Sequence, residues 1–360
     1  MIRSAHAVID LQALSHNLAR AKQAAGNSQA LAVVKADAYG HGLIKVAETL
    51  AGQAEGMAVA CLPEAQVLRK AGYQGRIVLL HGVKNAQEQE AAAEFGLDLV
   101  LHEPYQLELL QEMNSLGPLD IWLKLDTGMH RLGFPPHQAT VLYQKLTALP
   151  VVRSLRFMTH FADADDRESR YTQTQMDSFD QATRGLEGEQ SCANSAAILG
   201  HPQSHRDWIR PGIMLYGASP FVSGNAEAEG LKPVMHLSSP LIAIQALKKG
   251  DTIGYGRTWT CPEDMNVGVV AIGYGDGYPR HATNGTPVMI NNVLTQLVGR
   301  VSMDLVTIDL RATGDVEIGM PVQLWGDRVA ADEVASCSGT IAYELFCSVG
   351  ERVRREYVKV

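Results

Sequence analysis

Lys35 stands directly behind the apolar run LAVV, which reads as a buried strand. A lysine in that setting is desolvated. Desolvation disfavours the ammonium, and the neutral amine is a nucleophile able to form a Schiff base. The plainer alternative is a lysine paired with a nearby carboxylate such as Asp37. Five more polar residues stand just past apolar runs. Arg131 lies in KLDTGMHRLG, His160 in RFMTHFA, Asn194 and Ser195 in CANSAA, and Arg210 in DWIRPG. Each has an ordinary reading. His160 could be a satisfied core histidine, Lys124 a strand lysine paired with Asp126, and Gly212 and Gly217 turn glycines. Together they suggest more. ANSAA offers a hydroxyl and a helix start at Ser195, and RPGIMLYG offers free backbone at Gly212 and Ile213. Such groups bind phosphate at helix starts and glycine loops. With a buried lysine, they point to a phosphorylated aldehyde, pyridoxal phosphate (PLP). AYGHG reads as a turn by composition, where Tyr39 could bond a phosphate oxygen or be an ordinary loop aromatic. Tyr255 sits between two glycines in GYGRTW, as a site residue or a hairpin-turn aromatic, and GYGDGYPR reads first as a turn, one that could expose Tyr274 and Arg280 at an entrance.

These residues need a frame. Short runs rich in Val, Ile and Leu predict strands near 31–35, 57–61, 76–80, 97–101, 120–125, 154–158, 190–192 and 207–210. Helical patterns fall between most of them, with those near the seventh and eighth strands short. Leu43, Val46, Ala47 and Leu50 share one face. A helix opening at Pro63 ends at Gly72, and another spans 103–113 with Leu107, Leu110 and Met113 aligned. Alternation of this kind predicts a parallel sheet, and eight units in this length match an N-terminal (β/α)8 TIM barrel over residues 10–230. A doubly wound sheet is the alternative. Asp10 caps a helix ahead of the barrel, with Leu11, Leu14, Leu18, Ala21 and Ala25 on its apolar face. Past the polar link FVSGNAEAEG the pattern becomes strand-like, with Gly, Pro, Asn and Asp at short intervals. This predicts a C-terminal, mainly antiparallel β-domain over 231–360, with residues 1–9 as a strand packing on it.

Composition excludes other classes. The 360 residues include 31 Lys and Arg against 39 Asp and Glu, a net charge of −8. Without a basic block, neither nucleic acid nor a membrane surface is an expected partner. Five widely spaced cysteines with no C-x-x-C pair predict neither a disulfide framework nor a metal site. His6 and Asp10 interrupt the opening apolar residues, and no run of about 18 apolar residues occurs. A cytoplasmic enzyme is expected.

The motifs AVVKADAYGHG, KLDTGMHRLGF, HFADAD, ANSAA, RPGIMLYG, GYGRTW, GYGDGYPR, GRVSMD and GTIAYE follow one another along nearly the whole chain. In kind and order the sequence resembles the alanine racemase family of PLP enzymes. The resemblance implies an isomerase interconverting L- and D-alanine, either supplying D-alanine for peptidoglycan or serving L-alanine breakdown. It implies a homodimer with an active site shared between subunits. Lys35 would hold the cofactor and act as one base, with Tyr255 of the partner subunit as the opposing base. Arg210 would bond the pyridine nitrogen. Tyr39, Asn194, Ser195, Gly212, Ile213 and Tyr343 would hold the cofactor through its phosphate and surroundings. Arg131 and the Met303 backbone would position the substrate carboxylate. His160 would bridge Arg210 and Tyr255, and Lys124 would steady Arg131 as a carbamate. Asp165, Tyr274, Arg280, Arg300 and Asp304 would line or support the entrance. His130 stands where many members have glycine. PLP decarboxylases of the ornithine type share the architecture but carry glutamate where Arg210 stands. PLP-binding homeostasis proteins have the barrel alone. Broad-spectrum amino-acid racemases usually carry a secretory signal, and some turnover of serine is expected here because a methyl-sized pocket rejects it weakly.

Overall fold

The computed structural model describes residues 5–112 and 118–359. Met113 of the expected helical face and the first four residues of the expected leading strand lie outside the described residues.

Strand β1 (His6–Asp10) leads into the helix Leu11–Ala25. Asp10 caps that helix by accepting from the N–H groups of Gln12 and Ala13 at 2.8 and 3.0 Å. The face carrying Leu11, Leu14, Leu18, Ala21 and Ala25 is buried, as its spacing predicts. Eight parallel strands then close into a barrel: β2 (Gln29–Val33), β3 (Gly56–Val59), β4 (Arg76–Leu79), β5 (Asp98–Leu101), β6 (Leu119–Lys124), β7 (Val152–Met158), β8 (Gln190–Ser191) and β9 (Trp208–Ile209). Pairing of β9 with β2 completes the ring. The doubly wound alternative is thereby excluded. β3, β5 and β6 are buried along their whole length, which explains their continuous apolar character. The segments after β8 and β9 are short, a six-residue helix Ser195–Gly200 and a 3-10 turn Ile213–Tyr216.

One local expectation is corrected. The first barrel strand stops at Val33, so Lys35 lies past the strand rather than closing it. Ala36, Asp37, Ala38 and Tyr39 follow in a left-handed helical turn, with φ between 52° and 54°. A left-handed turn of four non-glycine residues costs about 1–2 kcal/mol per residue.

The second domain is built on a long strand, β10 (Met235–Leu247). The strands β11 (Thr252–Ile253) and β12 (Trp259–Thr260) form a separate hairpin. The main sheet runs β15 (Val293–Gln296), β14 (Pro287–Ile290), β17 (Pro321–Trp325), β10, β1 and β18 (Arg354–Val358). The strands β13 (Met265–Val270) and β16 (Val306–Asp309) branch from the far half of β10. All these pairs are antiparallel except β1 with β18. Helices at Ala331–Cys337 and Ala342–Ser348 lie within this β-domain, which the strand-like reading did not single out.

The bottom of the barrel, at the strand starts, is sealed by charge pairs. Asp120 accepts from Arg153 at 2.7 Å and from the Ser154 hydroxyl at 2.5 Å. Arg76 reaches Asp98 at 2.7 Å, and Arg156 reaches Glu189 at 2.6 Å. Trp122 and Trp208 donate to Asp98 and Glu189 and carry the guanidinium groups on their faces. Burial opposes the Asp120 charge, but bonds from Arg153 and Ser154 prevail and hold its carboxyl down to about 2. A depressed carboxyl contributes stability above its unfolded pKa, and that contribution fades as pH falls from about 3.8 toward 2. Asp120→Asn is expected to cost about 2 kcal/mol at neutral pH, because it weakens the charge-assisted bonds that Arg153 and Ser154 make to a buried carboxylate. It should also flatten the loss of stability in that acid window, as read by denaturation at a series of pH values.

Candidate active site

The strand ends opposite this seal open into a cavity of about 460 Å³. Lys35, Tyr39, Lys124, Arg131, His160, Asn194, Ser195, Arg210, Gly212, Ile213 and Tyr343 all line it. They arrive from different elements. Lys35 and Tyr39 come from the two ends of the left-handed turn. Lys124 closes β6, and Arg131 follows in the loop after it. His160 stands two residues past β7, and Asn194 caps the helix that Ser195 begins. Tyr343 comes from the β-domain helix Ala342–Ser348.

Arg210 is buried, and every hydrogen bond it makes is to a neutral group. Its Nη1 donates to Ser191 Oγ at 2.6 Å, and its Nη2 donates to the Thr159 and Cys192 carbonyls at 2.6 and 3.2 Å. Nη2 also lies 3.5 Å from His160 Nδ1. Nε takes part in none of these bonds. Burial brings the guanidinium down to about 10, so it remains a cation at neutral pH. Burial and the charges of Arg210, Lys124, Arg131 and Lys35 push His160 well below the usual histidine value. Its ring is neutral, so Nδ1 can accept from Arg210.

The two lysines answer to the same field. Burial, then Arg210, Arg131 and Lys35, draw Lys124 down to about 8, against a weak opposing pull from Asp126. The expected ion pair is not formed, because Asp126 turns instead to the Gly128 and His130 N–H groups and the His130 ring. Lys35 is lowered by burial and by Arg131, while Glu64 and Cys347 pull the other way. Asp37, the carboxylate considered for Lys35, accepts from the Leu43 N–H at 2.7 Å. His130 has φ 55°, a conformation that glycine takes at no steric cost.

A second group of residues forms a cradle. Ser195 Oγ accepts from the Gly212 N–H at 2.8 Å. A Cβ at position 212 would stand 2.7 Å from the Tyr39 hydroxyl, so the glycine keeps this space open. The Tyr39 ring stacks on buried Tyr216 at 4.7 Å and tilts toward Tyr343 at 6.0 Å. Burial raises both Tyr39 and Tyr343, which keeps their hydroxyls protonated as donors. Among the described residues no Asp or Glu lines the cavity. Cations and hydroxyl donors around an open glycine, with an amine on the wall, fit a phosphorylated aldehyde together with a small carboxylate.

The remaining candidates lie elsewhere in the single chain. Tyr255 is 68% exposed and Met303 54% exposed, both outside the cavity. Tyr255 is flanked by Gly254 and Gly256 at φ 68° and 72°. Asp165 lines a neighbouring cavity of about 750 Å³ that shares Asn194 and Tyr343 with the first. Tyr274 and Arg280 line one further hollow, and Arg280 and Arg300 another. Asp304 accepts from Arg352 at 2.6 Å. Sequence reasoning passed over Leu80, His81 and Cys347, which also face the first cavity. His81 was findable, since it follows the apolar run IVLL as Lys35 follows LAVV.

Known proteins resemble this chain along nearly its whole length. The family model described as alanine racemase, N-terminal domain, matches residues 9–220, and that described as alanine racemase, C-terminal domain, matches residues 234–357. An alanine racemase of Halorhodospira halophila is 51% identical over 359 residues, covering 99% of each chain. A Pseudomonas putida relative named as a catabolic alanine racemase is 47% identical over 357 residues, again covering 99% of each. The solved biosynthetic alanine racemase of Pseudomonas aeruginosa is 44% identical. It superposes with a TM-score of 0.96 over 99% of this chain and 100% of that one.

The field among the cations can be measured. Competitive acylation across a pH series should find Lys124 half deprotonated near pH 8. Arg131→Met removes a neighbouring positive charge and should move that midpoint upward.

Proposed function

The chain belongs to the alanine racemase family, and from that premise we propose that it interconverts L- and D-alanine with PLP held on Lys35, using Lys35 and Tyr255 as opposing bases. The observation that carries the reading is the cation Arg210, bonded to neutral groups and facing the same cavity as Lys35, whose wall bears no carboxylate among the described residues. The cofactor, once bound, would supply the electron withdrawal that makes an α-proton removable.

The chain's own residues account for the remaining requirements. Tyr39, Ser195 and Tyr343 would donate to a phosphate above Gly212 and Ile213, with Asn194 holding the helix start in place. Arginine donates hydrogen bonds and accepts none. Arg210 therefore suits an unprotonated ring nitrogen, which weakens the electron sink and favours brief proton exchange over other chemistry. Arg131, with the Met303 backbone, would hold the substrate carboxylate. Lys124 at about pKa 8 has a substantial neutral fraction near pH 8. As a carbamate it would become an anion beside Arg131.

Inversion needs a base on each face of the α-carbon, since one base alone returns the proton to the side it left. Lys35 Nζ supplies one face. Tyr255 stands exposed on the β-domain, outside the cavity of its own subunit. A second copy of the chain would bring it in, with His160 between Tyr255 and Arg210. Asp165, Tyr274, Arg280, Arg300 and Asp304 would line or support the approach. The homodimer, the cytosolic setting and the domain limits near residue 230 belong to this reading. Among the described residues no helix is long and apolar enough to cross a membrane. The reaction serves D-alanine supply and L-alanine breakdown equally, and names of both kinds occur among the relatives.

Incubation with L-alanine in deuterated water tests the reaction. Optical rotation should fall to zero while the α-position takes up deuterium and total alanine stays constant. Absence of exchange in PLP-loaded protein would refute the assignment. For the shared site, inactive Lys35→Ala and inactive Tyr255→Phe should regain activity when their subunits are exchanged. Verified mixed dimers that stay inactive would sink it.

A further inference from the structure

The left-handed turn after β2 carries strain that something must hold. Its residues Ala36, Asp37, Ala38 and Tyr39 have φ of 52–54° and ψ of 41–55°, and none is glycine. Conformations of this kind persist only where the surroundings over-determine them. Part of the restraint is local. Glu64 accepts from the Ala36 N–H at 2.7 Å, and the Val34 carbonyl accepts from the Ala38 N–H at 2.9 Å. His41 Nδ1 contacts the Tyr39 and Ala38 carbonyls at 2.9 and 3.2 Å.

The rest of the restraint comes from the opposite end of the chain. Arg355, on β18, donates from Nε to the Gly40 carbonyl at 2.8 Å and from Nη2 to the Val349 carbonyl at 2.8 Å. Its guanidinium thus ties the end of the turn to the segment just past the helix Ala342–Ser348. The Phe346 carbonyl presses on Gly40, where a Cβ would stand 2.1 Å away. At Gly42 an added Cβ would collide with the Tyr357 hydroxyl. The Phe346 ring meets His41 edge-on at 5.0 Å. The β-domain therefore grips the turn at Gly40, His41 and Gly42, immediately beside Tyr39.

We propose that Arg355 is a positioning residue for Lys35: from the second domain of the same chain it clamps the left-handed turn that aims Lys35 and Tyr39 into the cavity. Cofactor binding then requires that domain to be docked. The proposal rests on the reading of Lys35 as the PLP-bearing residue. Arg355 touches neither substrate nor cofactor and acts through the backbone carbonyl of Gly40.

The test compares Arg355→Met, Arg355→Lys and the double variant Arg355→Met/Ala36→Gly with wild type. Arg311→Met serves as the control, since it removes an ion pair of the β-domain far along the chain from the turn. Hydrogen–deuterium exchange of the apo protein follows the peptide covering residues 36–42, and titration with PLP gives its dissociation constant. Arg355→Met is expected to speed exchange of that peptide and weaken PLP binding, each about tenfold. Arg355→Lys should fall between it and wild type. Adding Ala36→Gly should recover several-fold of the lost affinity, because glycine occupies the left-handed region without penalty. Arg311→Met should change neither readout. Wild-type exchange and affinity in Arg355→Met would overturn the proposal, as would equal effects in Arg311→Met. A wild-type chain that takes up no PLP would instead refute the cofactor reading, while exchange of the turn in the apo variants would still decide the clamp.

Discussion

Lys35, Lys124, Arg131 and Arg210 converge on one space, and no carboxylate stands on its wall among the described residues. Gathering like charges where water is thinned costs several kcal/mol per ion unless something offsets it. The chain offsets part of the cost with neutral oxygens. The Ser191 hydroxyl and the carbonyls of Thr159 and Cys192 surround Arg210. Burial and the neighbouring cations also make both lysines easier to deprotonate, with Lys124 brought down to about 8. What remains is a standing deficit of negative charge. That deficit selects for anions, and it lowers the cost of freeing an amine for base chemistry.

The two ends of the barrel make opposite use of charge. At the bottom, Asp98, Asp120 and Glu189 are matched to Arg76, Arg153 and Arg156, and the tryptophans fill the gaps between them. At the top the cations go unmatched. Parallel strands make this division natural, because every strand presents its start to one end and its finish to the other. The matched end holds the ring closed, and the unmatched end is then free to bear the electrostatic cost.

Much of this was legible in the residues. Eight apolar runs named the eight barrel strands, and the polar residues behind them share one mouth. The period-2 and period-3.6 patterns are strong there because those strands and helices are buried on defined faces. The left-handed turn was not legible beyond its being a turn. Ala36, Asp37, Ala38 and Tyr39 carry no local signal for positive φ; the turn is bonded by Glu64 and Val34 nearby and, at Gly40, by Arg355 from far along the chain. The helices at Ala331–Cys337 and Ala342–Ser348 were masked by their shortness within a strand-rich stretch. Pairing of Lys124 with Asp126 was a reasonable expectation from spacing alone. It fails because the loop N–H groups of Gly128 and His130 occupy that carboxylate first.

The opening strand β1 lies between β10 and β18, so it pairs with the middle and with the very end of the chain. The groups gripping the lysine turn, Phe346, Arg355 and Tyr357, also come from that end, 315 residues beyond Gly40 in the case of Arg355. On a ribosome these emerge after the whole barrel. A nascent chain with a finished barrel would still lack its clamp, and β1 would wait unpaired through most of translation. The turn beside the lysine therefore gains these contacts only once β18 has been made. A chain stopped before β18 would lack the Arg355 bond to Gly40 and the parallel partner of β1, so the barrel's lysine turn and the sheet's opening strand would both wait on the same segment.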